Sequence, residues 1–383
     1  MLRVLTLATL FPNRARPTLG VFVERQTRAL AELPDVEVEV VAPVGLPPWP
    51  LSLHPHYACL RALPERETRD GLTVHRPRYR VWPALGKART AQVMADALLP
   101  MLRELRVRFP FEVIDAEFFW PDGPAAMRLA AALDVPFSVK ARGSDIHLWG
   151  ARSDIAPQIV AAGKAADGLL AVSAALKRDM AALGLPEEKI RVHYTGIDLA
   201  RFHPSARAEL GVGGPLLIAV GHLTPRKGQD LALAALARIP EATLLLVGDG
   251  PDRARLETMA ARNGLSDRVR FLGVQPHAAL PGLLAAADVL VLPTASEGLA
   301  NVWVESLACG TPVVTSDVGG AREVIEGPEA GRLVPRDPEA IATAVRALLT
   351  ASPDSAMVRR AAEKFSWTRN ATELRDHLSS LVR

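Results

Sequence analysis

The sequence predicts an α/β protein made of two doubly wound, Rossmann-like domains that face each other across a cleft. Three observations lead there. Short apolar runs rich in Val, Leu and Ile alternate with helical segments, as buried parallel strands joined by crossover helices do. Polar, glycine-bearing loops follow the C-terminal ends of those runs in both halves, where open α/β sheets bind ligands. The alternation breaks once, at Thr195-Gly-Ile-Asp198, Phe202-His-Pro204 and the Gly-rich residues 211–215. The expected domains are therefore residues 1–204 and 205–367, with a closing helix at 368–383.

In the first half, residues 2–10 read as a buried strand. A Pro- and Arg-rich loop follows, and Gly20 opens a helix to about residue 33 with Phe22, Gln26, Ala29 and Leu30 at helical spacing. Gly20 either lets a ligand approach the backbone or merely permits the turn. Strands are expected at 36–41, 112–116, 135–140, 168–172 and 189–193. An Ala-rich helix is expected at 124–133, and Ser173 should cap another. Residues 43–63, with Trp49, His54, His56 and Tyr57, read as loop. From Arg61 to Arg108 there are eleven Arg or Lys against five Asp or Glu. Such a run is either a solvated face or a surface for an anionic membrane. The loop Ala141-Arg-Gly-Ser-Asp-Ile-His147 stands at a strand end; Asp145 also fits a helix cap and Arg142 a surface ion pair.

In the second half, strands are expected at 215–220, 243–247 and 269–272, the last ending in Gly273. Helices are expected at 230–237, 252–262 and 280–287. Two loops stand out: Gly221-His-Leu-Thr-Pro-Arg-Lys-Gly228, with adjacent cations, and the tight turn Gly248-Asp-Gly-Pro251. Strands at 288–292 and 311–315 then flank Pro293-Thr-Ala-Ser-Glu-Gly-Leu-Ala-Asn-Val-Trp-Val-Glu-Ser306. Gly310 and Pro312 stop the intervening helix, 301–309. Glu297 lies in the loop and Glu305 is expected about two turns into the helix. Between them, Gly298, Leu299, Ala300 and Asn301 offer backbone N–H groups at a helix start, a good place for an anion. The same residues also fit two solvated glutamates, one capping the helix and one on its polar face.

Composition narrows the function. The chain has 383 residues, 49% hydrophobic and 23% charged, as in ordinary globular proteins. A net charge of +3 and the lack of aromatic-basic alternation argue against nucleic acid. Two cysteines, Cys59 and Cys309, make no disulfide framework or metal cluster, so a reducing cytoplasm is the default. The first apolar run is short, is broken by Pro12 and does not read as a signal peptide; no run reaches the roughly 18 residues of a membrane span.

Glu297 and Glu305, with seven residues between them and Ala308-Cys-Gly-Thr-Pro312 after them, resemble the signature of retaining glycosyltransferases of the GT-B fold, family 4. Gly221 with Arg226-Lys227-Gly228 is similar to the family's basic loop, Val247-Gly-Asp-Gly-Pro251 to its Gly turn, and Tyr194-Thr-Gly-Ile-Asp198 with Phe202-His-Pro204 to its linker. Phe11-Pro12, Gly20-Val-Phe-Val23, Pro121-Asp-Gly123 and Arg142-Gly-Ser-Asp145 match more loosely. The resemblance spans nearly the whole chain and is most specific in residues 215–320.

The resemblance implies a donor site for a UDP- or GDP-sugar made of Gly20, Gly221, His222, Arg226, Lys227, Gly248, Gly250, Gly273, Val274, Gly298, Leu299, Ala300, Asn301 and Glu305. It implies catalytic roles for Glu297, Lys227, Arg142, Asp145 and His147. It also implies a closing helix that crosses back onto the first domain. Two departures matter. His222 stands where the family often has Arg, and Arg142 where it often has a His that contacts the donor sugar, so that role passes to Arg142 or to His147. No cofactor or metal is expected, because no Asp-x-Asp motif is placed to hold one. The expected acceptor is a saccharide or lipid-linked saccharide used in surface polysaccharide synthesis, reached from the cytoplasm with possible peripheral membrane contact. A nucleotide-sugar epimerase, a non-catalytic nucleotide-sugar-binding protein and a glycosidase-like carboxylate pair are the competing readings.

Overall fold

The computed structural model describes residues 1–82, 87–206 and 208–382. Positions 83–86 of the basic stretch, 207 of the linker and 383 of the closing helix lie outside them. The chain divides into two compact units, Met1–Gly196 with Trp367–Arg383, and Ile197–Ser366. The division falls at Gly196 rather than after Pro204. Residues that follow it are tied to the second unit: Ile197 N–H donates to the Phe365 carbonyl at 2.6 Å, and the Arg359 guanidinium donates to the carbonyls of Leu199 and Phe202.

The first unit is built on β1 (Leu2–Leu7), β2 (Val36–Val41), β3 (Val44–Leu46), β4 (Arg66–Arg69), β5 (Leu72–His75), β6 (Arg78–Arg80), β7 (Val113–Ala116), β8 (Phe137–Ala141), β9 (Gly168–Ala171) and β10 (Ile190–Val192). Its main sheet runs β10-β9-β8-β7-β1-β2-β5-β4, parallel except for the β4–β5 hairpin at one edge. β3 and β6 pair as a separate parallel ribbon. Strand order reverses between β1 and β7, so the loops after those strands open a crevice. The closing helix, Trp367–Ser379, buries Leu374 and Leu378 against Val4, Leu30, Val36, Val113 and Leu170.

Residues 43–108, expected as loop and surface, are more ordered than that. Thr90–Arg108 is a helix whose Ala91, Met94, Ala95, Leu98, Leu102 and Leu105 form one buried stripe, with Pro100 inside it. Most expected strands start or end elsewhere by one or more residues. The first stops at Leu7 and the one after Pro136 begins at Phe137, while β10 is held to Ile190–Val192.

The second unit carries β11 (Leu216–Val220), β12 (Thr243–Val247), β13 (Val269–Gly273), β14 (Val289–Leu292), β15 (Val313–Ser316) and β16 (Gly331–Val334). All pairs are parallel, in the order β13-β12-β11-β14-β15-β16. The apolar strand faces pack on helices Gln229–Leu236, Arg253–Arg262 and Pro338–Ala351 through Leu217, Leu233, Leu244, Leu256, Val291 and Val345. β11 lies between β12 and β14, so the chain switches direction across the sheet at the β11/β14 gap. No helix of the described residues is long and apolar enough to cross a membrane.

Candidate active site

The loops after β11 and β14 meet at the switch point of the second unit. Glu297 is the centre of the meeting. Its Oε1 accepts from Lys227 Nζ at 2.5 Å, from Arg226 Nη1 at 3.1 Å and from Thr294 Oγ1 at 3.1 Å. The two loops are also joined by backbone, since Ala295 N–H donates to the Arg226 carbonyl at 2.7 Å. Arg336 braces both, donating to the carbonyls of Pro293 (2.9 Å) and Pro225 (3.3 Å). Gly228, at φ 74°, must be glycine, because a Cβ there would collide with the Pro293 carbonyl.

The helix start lies immediately beyond. Helix Asn301–Ala308 begins after Ala300, and no side chain caps it. Among the described residues, the amides of Gly298, Leu299 and Asn301 have no backbone acceptor, so they remain available to an anion. The Gly298 carbonyl is pinned by Gly320 N–H at 2.8 Å, and Gly319 (φ 51°) packs so closely on Glu297 that a Cβ would overlap its carbonyl. Glu305 stands four residues past the helix start at Asn301, which at 3.6 residues per turn is about one turn rather than the two expected. Its Oε1 lies 3.2 Å from His277 Nε2, and the His277 ring stacks edge-on against Phe202 with centroids 5.3 Å apart. Burial and Glu305 push the nearby Cys309 thiol up to about 12, so it stays protonated.

The remaining glycine-loop residues sit on the same edge of the sheet. Gly221 N–H donates to Val247 O at 2.9 Å and Gly248 N–H to Gly273 O at 2.8 Å, locking the ends of β11, β12 and β13 together. Gly250 packs under Leu223, whose N–H bonds the Asp249 carbonyl. The His222 carbonyl accepts from Gln229 Nε2 while its ring is exposed, and Val274 projects 74% exposed beyond Gly273.

In the first unit, Gly20 lies buried against the Leu10 carbonyl at the head of helix Val21–Ala31. Arg142 is not on the surface. Its guanidinium is buried, pairs with Glu117 and lies 4.9 Å over the Phe22 ring. Gln26 joins them, donating to Glu117 and accepting from Lys140 Nζ at 2.6 Å, and Lys140 reaches His193 Nδ1 at 2.8 Å. Burial raises the Glu117 carboxyl, but Arg142 and then Lys140 outweigh it and hold it below the ordinary range. Asp115, desolvated and beside Glu117, is pushed well up and keeps its proton. Lys140 and His193 are both driven down, first by burial and then by neighbouring cations.

Asp145 is fully buried and does not act as a helix cap. Its carboxylate accepts from the backbone N–H groups of Phe119 (3.1 Å), Arg142 (3.0 Å) and Gly143 (2.8 Å). That geometry fixes the loop that carries Arg142. His147 is exposed and pairs with Asp179 at 2.9 Å. The structure thus brings Arg226, Lys227 and Glu297 together, gives Glu305 a separate partner and seals Arg142 and Asp145 below the surface. Sequence reading missed His277, Arg336, Gly319, Gln26 and Glu117, because each acts through a partner remote in the chain, and Thr294, whose hydroxyl serves Glu297 three residues on. Among the described residues no group of three or more His, Cys, Asp or Glu is placed to hold a metal.

Comparison with known proteins agrees with this architecture. Residues 205–365 match the glycosyl transferases group 1 model and residues 19–201 the glycosyltransferase family 4 model. The chain is 29% identical over 360 residues to TuaC of Bacillus subtilis, assigned to teichuronic acid biosynthesis, covering 90% of this chain and 88% of that one. It is 31% identical over 335 residues to the 2-deoxystreptamine glucosyltransferase of Streptomyces kanamyceticus, covering 80% and 83%. Among solved structures, Anabaena Alr3699/HepE in complex with UDP superposes with a TM-score of 0.76 across all of both chains at 22% identity. The fold, two Rossmann-like domains of GT-B type, is therefore shared with that neighbour, and the chain belongs to the family 4 glycosyltransferases.

Proposed function

We propose that the chain is a retaining, metal-independent glycosyltransferase that moves a sugar from a UDP- or GDP-sugar to a hydroxyl of a lipid-linked saccharide in cell-surface polysaccharide synthesis. The observation that carries the donor reading is the cluster of Lys227 and Arg226 on Glu297, beside amides that lack an acceptor. In the free protein Glu297 neutralises the two cations. A diphosphate arriving at the helix start replaces it as their partner, and Glu297 is released towards the sugar. As the anomeric C–O bond breaks, negative charge grows on the departing phosphate, where Lys227, Arg226 and the helix-start N–H groups stabilise it. Glu297 stabilises the positive charge on the sugar. The departing phosphate takes the acceptor's proton on the face from which the new bond forms, so the products are a nucleoside diphosphate and a retained glycoside.

The UDP-bound neighbour supports a nucleotide-sugar donor, and the teichuronic acid relative supports a role in polysaccharide synthesis. Glu305 and His277 are read as the pair that holds the ribose. Gly273 and Val274 are read as bordering the nucleobase. Arg142 and Asp145 are read as shaping the acceptor half, with His147 as the exposed residue that meets a substrate. The test is a thermal-shift screen of UDP- and GDP-sugars followed by detection of released UDP or GDP. Lys227→Ala should lower turnover about a hundredfold or more and also weaken donor binding, because Lys227 meets phosphate in ground and transition states. Donor hydrolysis or epimerisation with no transfer to any saccharide would count against the transferase reading.

A further inference from the structure

We propose that Arg336 is a positioning residue for the donor site: it keeps the Lys227 loop and the Glu297 loop at a fixed spacing while Glu297 yields its cations to a diphosphate. The inference rests on the donor reading above. Arg336 stands between β16 and helix Pro338–Ala351, 43 residues from Pro293 and 111 from Pro225. Its Nε donates to the Pro293 carbonyl at 2.9 Å and its Nη2 to the Pro225 carbonyl at 3.3 Å, so both bonds go to backbone rather than to a carboxylate. Nε–H and Nη2–H lie side by side on one edge of a planar guanidinium, and one rigid group therefore fixes two acceptors at once. Pro225 directly precedes Arg226 and Lys227, and Pro293 opens the loop that carries Glu297.

Among the described residues, the other hydrogen-bonded joints between these loops run through Arg226 or Lys227. The Arg226 guanidinium reaches the Ser296 carbonyl and Glu297, and Lys227 Nζ reaches Glu297. The Arg226 carbonyl accepts from Ala295 N–H at 2.7 Å and Thr294 Oγ1 at 3.2 Å. A diphosphate that takes the two cations dissolves the side-chain joints. What then remains at Arg226 is a single carbonyl, and a joint at one atom is a pivot. Arg336 attaches the loops at a second place and stops the rotation. Its own base is firm. The Asp337 carboxylate accepts from the N–H groups of Glu339 (3.0 Å) and Ala340 (2.9 Å), Asp337 N–H donates to the Pro335 carbonyl at 2.8 Å, and the helix that follows buries Ile341, Val345 and Leu348 in the core. Small misplacements of reacting groups cost rate far more than binding, so the effect of Arg336 falls on turnover.

Amide exchange on the free full-length chain reads the brace without any donor. Arg336→Ala should speed exchange about tenfold or more in residues 223–228 and 293–300 and leave helix Pro338–Ala351 as it was. The melting temperature should move by less than about 2 °C, because Arg336 is exposed. With the UDP- or GDP-sugar that gives turnover, kcat for release of UDP or GDP should fall about tenfold to a hundredfold. Calorimetric affinity for UDP or GDP should change less than about threefold. Arg336→Lys should not restore the rate, since one ammonium cannot replace a planar fork. Added to Glu297→Ala, Arg336→Ala should cost little more, because the group it aligns is gone. Unchanged exchange in both loops overturns the proposal, as does full rate in Arg336→Ala or full rescue by Arg336→Lys. An affinity loss equal to the rate loss makes Arg336 an ordinary cation for the diphosphate and also overturns it, as does full additivity with Glu297→Ala. Full activity in Glu297→Ala would sink the donor reading and this inference together; a damaged Glu297→Ala beside a silent Arg336→Ala would sink this inference alone.

Discussion

Glu297 and Glu117 occupy equivalent places. Each follows a strand at a topological switch point, and each holds an Arg and is reached by or lies near a Lys. Yet Glu117 and Arg142 are 0% and 6% exposed, whereas Glu297, Lys227 and Arg226 are 12%, 15% and 51% exposed. The buried cluster has already lost its water; Arg142 Nη2, Glu117, Gln26 and Lys140 are bonded to one another, while Arg142 Nε and Nη1 are buried without a partner among the described residues. Removing either partner strands a charge. The open cluster sits on loops, keeps contact with solvent and can exchange one anion for another. On the proposed function, the same residue types serve architecture in one unit and ligand exchange in the other.

The comparison breaks most visibly at Arg142. Arg142→Ala should destabilise the first unit by about 3–5 kcal/mol, because Glu117 would be left buried without its main cation. Denaturant unfolding followed on that unit checks this; a change below about 1 kcal/mol would mean that the cluster is far better hydrated than its burial implies.

Asp122 should show the next largest effect. Burial pushes its carboxyl up to about 7, although Thr9 N–H donates to it at 3.0 Å. The native state then binds the proton more tightly than the unfolded chain does. Stability should fall as pH rises from about 4 to about 7, by up to about 4 kcal/mol at roughly 1.4 kcal/mol per unit. Asp122→Asn should flatten that slope in melting experiments.

His377 tests the opposite sign. Burial, then Arg191 and Lys140, lower it to about 4 while its Nε2 bonds Ser138 Oγ at 2.8 Å. Its contribution is complete above about 6.5 and is lost as pH falls towards 4, by up to about 3 kcal/mol. His377→Gln should remove that acid sensitivity of the closing helix, measured by amide exchange along Trp367–Ser379. The smallest effect belongs to Arg226. Arg226→Ala should change stability by less than about 1 kcal/mol, since half of its side chain is in water. Denaturant unfolding checks it, and a larger loss would erase the contrast with Arg142.

Much of this contrast could be read from the chain, for a physical reason. The β11, β12 and β14 runs, their glycine loops and the Glu297–Glu305 helix are local patterns, so residue order alone reveals them. Lys227 and Glu297 are 70 residues apart, and only their common position at strand ends suggested that they meet. The partners of Arg142 are out of reach in this way. Glu117 belongs to the preceding strand end and Gln26 to a helix more than a hundred residues away. Some local signals also went unread. Asp70-Gly71, at φ 46° and 85°, closes the β4–β5 hairpin as such a pair should. The stripe of Thr90–Arg108 was obscured by Pro100 and by the basic residues on its outer face. Asp337 caps helix Pro338–Ala351 with Pro at its first position, a local start signal that the residue order carries.

On the proposed function, the second unit separates diphosphate and ribose recognition from sugar chemistry along one loop and helix. Calorimetry with UDP and GDP on Glu305→Ala and Glu297→Ala, beside turnover with the donor found by screening, tests it most directly. Glu305→Ala should weaken diphosphate binding by about one to two decades, the loss of a charge-assisted hydrogen bond of roughly 1.5–3 kcal/mol. Glu297→Ala should leave that binding nearly intact and depress turnover, because its contact strengthens as charge develops on the sugar. Abolished diphosphate binding in Glu297→Ala with a silent Glu305→Ala would reverse the assignment, and full activity in both would contradict it.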